Sequence, residues 1–184
     1  DAWGASYTTA TQTVFYVWNN RPVQLEVTSD TTGENVFGDE YTSHSDLFYQ
    51  YYSLAESPKH VLGQLKDVIT LANWTEGTDA YGATYVTDTQ TGFEIINNRP
   101  FQKVVTAYTT GENLFGDTYI TTSTTTYENN GYKLDEDGKP TAELEDPAKK
   151  LGAILSTSGT SLTTGADAWG ASYTTATQTV FYVW

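Results

Sequence analysis

The eighteen residues DAWGASYTTATQTVFYVW stand at Asp1–Trp18 and again, letter for letter, at Asp167–Trp184. From Ala5 onward the stretch alternates. Ala5, Tyr7, Thr9, Thr11, Thr13, Phe15 and Val17 fall on one side of an extended chain, and Ser6, Thr8, Ala10, Gln12, Val14, Tyr16 and Trp18 on the other. A period of two with β-branched and aromatic residues predicts a strand. An exact copy 166 residues downstream predicts one full turn of a tandem array plus an overlap into the next unit.

A second match lies inside the first. Segment 79–120 is identical to segment 1–42 at 26 of 42 positions. Asn19-Asn20-Arg21-Pro22 returns as Asn97-Asn98-Arg99-Pro100, and Thr31-Thr32-Gly33-Glu34-Asn35 as Thr109-Thr110-Gly111-Glu112-Asn113. The match resumes at a longer offset, where Ser57-Pro58 meets Asp146-Pro147. The extra residues fall around Asn129–Gly138 and read as a longer hairpin tip. The expected divisions are therefore 1–78 and 79–166 as two half-repeats, with 167–184 as the first strand of a further repeat.

Comparing the halves separates the faces of the first strand. The Tyr7 set keeps its character as Tyr85, Thr87, Thr89, Thr91 and Phe93, whereas Ala10, Val14 and Tyr16 become Asp88, Gly92 and Glu94. The first set is expected to pack inward and the second to face solvent. Asn-Asn-Arg-Pro and Thr-Gly-Glu-Asn read as turns. Ser57-Pro58 and Asp146-Pro147 read as helix starts, an N-cap followed by Pro at the first helical position. Val61, Leu62, Leu65, Val68 and Ile69 then give a helical stripe, and Leu151, Ile154 and Leu155 a shorter one. The expected fold is mainly β with short helices. Each antiparallel half-repeat has three or four strands and one helix, the halves pack as a sandwich, and a terminal strand comes from the adjacent repeat.

Composition narrows function. Net charge is −14, which disfavours nucleic acid because nothing would neutralise phosphates. Cysteine is absent, so there is no disulfide frame or thiolate metal site. No apolar run reaches the length of a membrane helix, so membrane insertion is not expected. Methionine is absent even at position 1, so the chain is expected to be a piece of a larger protein. The Thr, Tyr, Gly and Asn richness suits an extracellular or cell-surface repeat.

Catalytic signals are weak. Ser43-His44-Ser45-Asp46 holds triad letters, but neighbours on a strand do not assemble a triad, and no enzyme is expected. His60 reads as a surface residue. Asp135-Glu136-Asp137-Gly138 resembles the opening of a calcium loop but is interrupted by Lys139-Pro140. Glu34 and Asp39 recur as Glu112 and Asp117 around glycine turns. With Asp135 and Asp137 they are the candidate calcium ligands, though turn geometry explains them as well. Calcium is the one cofactor these residues suggest. The Thr-x-Thr-x-Thr runs at 9–13, 87–91 and 175–179 suggest an ice lattice; one run per half and an inward face argue against it. Asn73-Trp74-Thr75 fits a glycosylation sequon, and Lys103 is placed for a covalent crosslink.

The overlap carries the functional expectation. If the first strand of each half pairs with the preceding half as well as its own, a following unit would donate it. Tyr173, Thr175, Thr177, Thr179, Phe181 and Val183 would set the register of that donated strand. The leading expectation is a structural or adhesive module assembling by strand donation, with adjacent repeats or other copies of itself as partners. The alternative is a carbohydrate- or surface-binding module, calcium assisted, with glycans as partners.

Overall fold

The computed structural model describes residues 5–18, 20–53, 63–136 and 140–182. Its strands are β1 (Ser6–Trp18), β2 (Arg21–Glu34), β3 (Glu40–Tyr51), β4 (Leu65–Thr78), β5 (Thr84–Ile96), β6 (Arg99–Glu112), β7 (Thr118–Asn129), β8 (Tyr132–Leu134), β9 (Pro140–Leu144), β10 (Ile154–Ala166) and β11 (Ser172–Tyr182). Nine of them form one antiparallel meander in the order β1-β2-β3-β4-β5-β6-β7-β10-β11. The hairpin β8-β9 stands apart from it, in the region where the extra residues of 79–166 were expected.

Among the described residues no second layer covers this sheet. Strands touch their sheet neighbours, and beyond those, among the described residues, only β4 and β6 meet, across β5. The exposed area is 12474 Å², against about 8,800 Å² for a compact protein of this mass. Leu65, Val68 and Ile96 are the buried apolar side chains among the described residues. The expected sandwich of two half-repeats is therefore replaced by a single sheet that runs unbroken through the 78/79 boundary, where β4 pairs with β5. The predicted inward face of β1 does not exist either: Tyr7 is 75% exposed and Phe15 57%. Uniform alternation reported a strand correctly, but in one layer both faces meet water.

Neither predicted helix forms among the described residues. The Ser57-Pro58 start, with His60, Val61 and Leu62, lies outside them. Leu65, Val68 and Ile69 belong to β4, where β3 offers a full backbone ladder. Asp146 does cap its turn, accepting from the Ala148 N–H at 2.9 Å. The turn stops after Lys149 because buried Asn130 claims the carbonyls a helix would use. Its amide donates to the oxygens of Asp146, Lys149 and Lys150 at 2.9, 3.0 and 3.2 Å, and its Oδ1 accepts from Asp146 N–H at 2.9 Å. Asn130 is 0% exposed, and Gly152 follows at φ 77°.

The turns explain the meander. Asn97 and Asn98 have φ of 51° and 62°, which makes a two-residue loop of the twist-matching type between β5 and β6. Pro22 and Pro100 sit inside β2 and β6 rather than ending them. Pairing of β2 with β3 begins only at Glu26, and of β6 with β7 only at Val104, so each proline's missing N–H costs no ladder bond. At the other end of the sheet, four turns share one device. Asn35, Asp79, Asn113 and Asp167 each accept backbone N–H groups two and four residues ahead on Oδ1. A glycine in left-handed conformation closes each turn, such as Gly38 at φ 86° and Gly116 at φ 84°.

Candidate functional site

The two edges of the sheet carry the same sequence. β1 uses one of its edges to pair with β2, from Ser6↔Glu34 to Trp18↔Arg21. Its copy β11 uses the opposite edge to pair with β10, from Ala166↔Ser172 to Ser156↔Tyr182. β5, whose sequence resembles both, lies inside the sheet and uses both edges at once. It pairs β6 in the register of the β1·β2 pair, with Thr84↔Glu112 answering Ser6↔Glu34 and a bulge at Gly92/Phe93 answering Val14/Phe15. Its other edge holds β4, with Thr84↔Thr78. β5 thus displays the double pairing of which β1 and β11 each show half.

The edges obey a simple complementarity. The free edge of β1 is the one that β11 presents to β10. The free edge of β11 is the one that β1 presents to β2. In the 184-residue chain both β2 and β10 are already covered, so each edge presents a strand where its match is occupied.

β11 is docked and not merely adjacent. Asp117, between β6 and β7, accepts from the Ala168 N–H at 2.9 Å, as Asp39 accepts from Ala80 N–H at 2.9 Å. Thr175 stands opposite Thr163, whose hydroxyl bonds that of Thr121 at 2.8 Å. The Tyr173 ring lies over Gly165, at a place a methyl group there would occupy. Tyr7, the same residue in the other copy, has no glycine on its outer side. Its exposure is 75% against 48% for Tyr173. Of the predicted donor set, Tyr173, Thr175, Thr177, Thr179 and Phe181 face Gly165, Thr163, Ser161, Gly159 and Thr157 of β10; Val183 lies outside the described residues.

The tyrosine–glycine contact recurs across the whole sheet. Tyr7, Gly33, Tyr41, Gly77, Tyr85, Gly111, Tyr119, Gly165 and Tyr173 stand opposite one another in a single row through all nine strands. Tyr41, Tyr85 and Tyr119 cover Gly33, Gly77 and Gly111 in turn. Two residues along, Thr9, Thr31, Ser43, Thr75, Thr87, Thr109, Thr121, Thr163 and Thr175 form a parallel row of hydroxyls. Thr9 and Thr31 bond at 2.9 Å, as do Thr87 and Thr109. The expectation of one threonine run per half undercounted this face, because β2, β3, β4, β6, β7 and β10 contribute hydroxyls from other segments.

The candidate calcium ligands are placed in the turns. Asp39 accepts from Asn35 Nδ2 at 2.6 Å and Asp117 from Asn113 Nδ2 at 2.8 Å, so with the alanine N–H bonds both oxygens of each carboxylate have protein donors. Glu34 and Glu112 are exposed and lie opposite Glu40 and Thr118. Asp135 lies beside the β8-β9 hairpin, and Asp137 lies outside the described residues. Among the described residues no three acidic or histidine side chains converge on a common point. His44 bonds Asp30 at 2.7 Å and stacks on Trp74 at 5.8 Å, away from Ser43 and Ser45, whose side chains point to the opposite face. Lys103 is exposed at the bulge of β6.

At the Asn-Asn end of β1–β3, an apolar cleft is lined by Tyr16, Trp18, Val23, Leu25, Tyr49 and Tyr51. Tyr51 donates to the Gln24 carbonyl at 2.7 Å. Burial, with a smaller contribution from Tyr49, raises its pKa above the ordinary 10.0.

Comparison with protein-family models, with curated proteins and with solved structures returned no match.

Proposed function

We propose that this chain is a structural, non-enzymatic module of an extracellular or cell-surface tandem array, joined to its neighbours by one continuous β-sheet. The observation that carries the reading is the pair of identical edge strands, β1 and β11, held by opposite edges. In an array, one such strand would lie between β10 of one unit and β2 of the next, as β5 lies between β4 and β6. The joint is then a full backbone ladder rather than a flexible linker, and each unit would extend the array along the sheet. Partners of this kind are adjacent repeats or other copies of the chain. The eight acids on one face, described below, suit a surface held in water and keep arrays apart by charge.

The test uses the strand as mortar. A chain trimmed to residues 19–166 has β2 and β10 both uncovered. A synthetic peptide of residues 167–184 should join such chains end to end with one peptide per chain, measured by light scattering and by peptide stoichiometry in the pellet. A scrambled peptide of the same composition should do nothing. Equal assembly with the scrambled peptide, or none with the native one, refutes the reading.

A further inference from the structure

Because paired residues on neighbouring strands point to the same side, the two faces of the sheet differ in charge. Between the turns and the bulges, the acids of β2–β6 are Glu26, Asp30, Glu34, Glu40, Asp46, Glu76, Asp88 and Glu112, and all eight point to the side opposite the tyrosine row. The tyrosine face carries Tyr, Gly, Thr, Ser, Asn, Ala and aliphatic side chains and no charge over the same span.

We infer that this face binds an extended neutral β-linked polysaccharide, laid across the strands along the tyrosine row. Three features select that chemistry. Tyr41, Tyr85, Tyr119 and Tyr173 each lean over a glycine backbone instead of a neighbouring side chain, which leaves the outer face of each ring as an apolar platform for the C–H side of a pyranose. The rings come on alternate strands, about 9.5 Å apart, a span close to two extended β-1,4-linked sugars. The neighbouring hydroxyl row lies about 6.7 Å to one side, within reach of the hydroxyls on a sugar's rim. A polyanion gains nothing here, since among the described residues no cation faces it over this span, and a polycation would go to the acid face. Adjacent strands turn by roughly 20°, so successive platforms turn as well. A single flexible glycan chain follows that rotation, whereas the plane of a rigid crystal does not. The site does not depend on strand donation; a lone chain already presents four rings seated over glycines.

The experiment is a titration of the intact ¹⁵N-labelled chain with cellohexaose, long enough to meet three neighbouring rings. The expected result is saturable movement of the Gly33, Gly77, Gly111 and Gly165 amide signals, with the Trp74 indole on the acid face unmoved and no loss of affinity at high salt. Tyr119→Ala should weaken binding roughly threefold to tenfold, while Tyr108→Ala, on the acid face, leaves it unchanged. The mapping on the unaltered chain decides the matter if Tyr119→Ala does not fold. Absence of saturable shifts, or shifts confined to Trp74 or to the apolar cleft, overturns the proposal. Shaping of growing ice by a chain that ignores cellohexaose overturns it too, because the hydroxyl row would then be ordering water instead of sugar.

Discussion

Ending the chain at Ala166 removes β11 and uncovers β10, whose edge then matches the free edge of β1 on another copy. The expected outcome is head-to-tail growth without any strand exchange. Each added chain contributes β1–β7 and β10, which is eight strands, and at about 4.8 Å per strand the axial repeat is about 38 Å. The two ends of such a filament are a free β1 edge and a free β10 edge. The untrimmed chain can dock its own β1 on the β10 end, and then presents β11, whose match is covered in every trimmed chain. It is therefore a cap. Sedimentation velocity should show the 1–184 chain as a small particle and the 1–166 chain as a concentration-dependent series. Electron micrographs should give an axial periodicity near 38 Å, and added 1–184 chain should shorten the filaments in proportion. A 1–166 chain that stays monomeric at the concentrations tested, or filaments indifferent to the 1–184 chain, would show that the edges are not complementary.

Three further outcomes follow from single side chains. Asn130→Ala leaves the carbonyls of Asp146, Lys149 and Lys150 and the Asp146 N–H without their buried partner, and should cost about 3 kcal/mol or more in chemical denaturation; a loss under 1 kcal/mol would mean water replaces the side chain. Gly111→Ala puts a methyl group into the Tyr119 ring and should destabilise by about 1–3 kcal/mol, whereas the double change with Tyr119→Ala should recover part of that loss. Tyr51→Phe removes the bond to the Gln24 carbonyl and should cost about 0.5–1.5 kcal/mol near neutral pH. Its raised pKa means the folded chain holds that proton more tightly than the unfolded one. The stabilisation is complete below the ordinary value of 10.0 and is lost as pH rises through the higher folded value. The alkaline fall in stability should therefore be shallower in the phenylalanine variant.

The alternation of Ser6–Trp18 and its copy at 167–184 identified strands and the period, because side-chain alternation is a local property of extended backbone. The Asn-Asn loop was legible for the same reason, its dihedrals being limited to a few residue types, but the turn expected at Thr32-Gly33-Glu34-Asn35 falls three residues later: Gly33 pairs with Tyr7 and Tyr41 inside the sheet, and the turn runs from Asn35 to Asp39. Asp146-Pro147 was read correctly as a cap and wrongly as a helix, since the group that ends the turn, Asn130, is sixteen residues away. The Tyr–Gly row was visible only in fragments. Tyr41 and Gly33 are eight residues apart, but Tyr119 and Gly165 are forty-six apart, and only the pairing of β7 with β10 around the β8-β9 hairpin aligns them.

By itself, then, the chain's sequence determined what short-range sterics and composition determine: antiparallel strands, their turns, the absence of thiol chemistry, the acidic charge and the 166-residue recurrence. The tertiary structure decided that the strands form one uncovered layer, that tyrosines and hydroxyls line up across it, that the acids gather on a single face, and that identical end strands occupy opposite edges. Those properties depend on register between distant segments. A shift of one residue in any pairing would turn that strand's side chains over and mix the two faces, so no local reading of the residues could have assigned them.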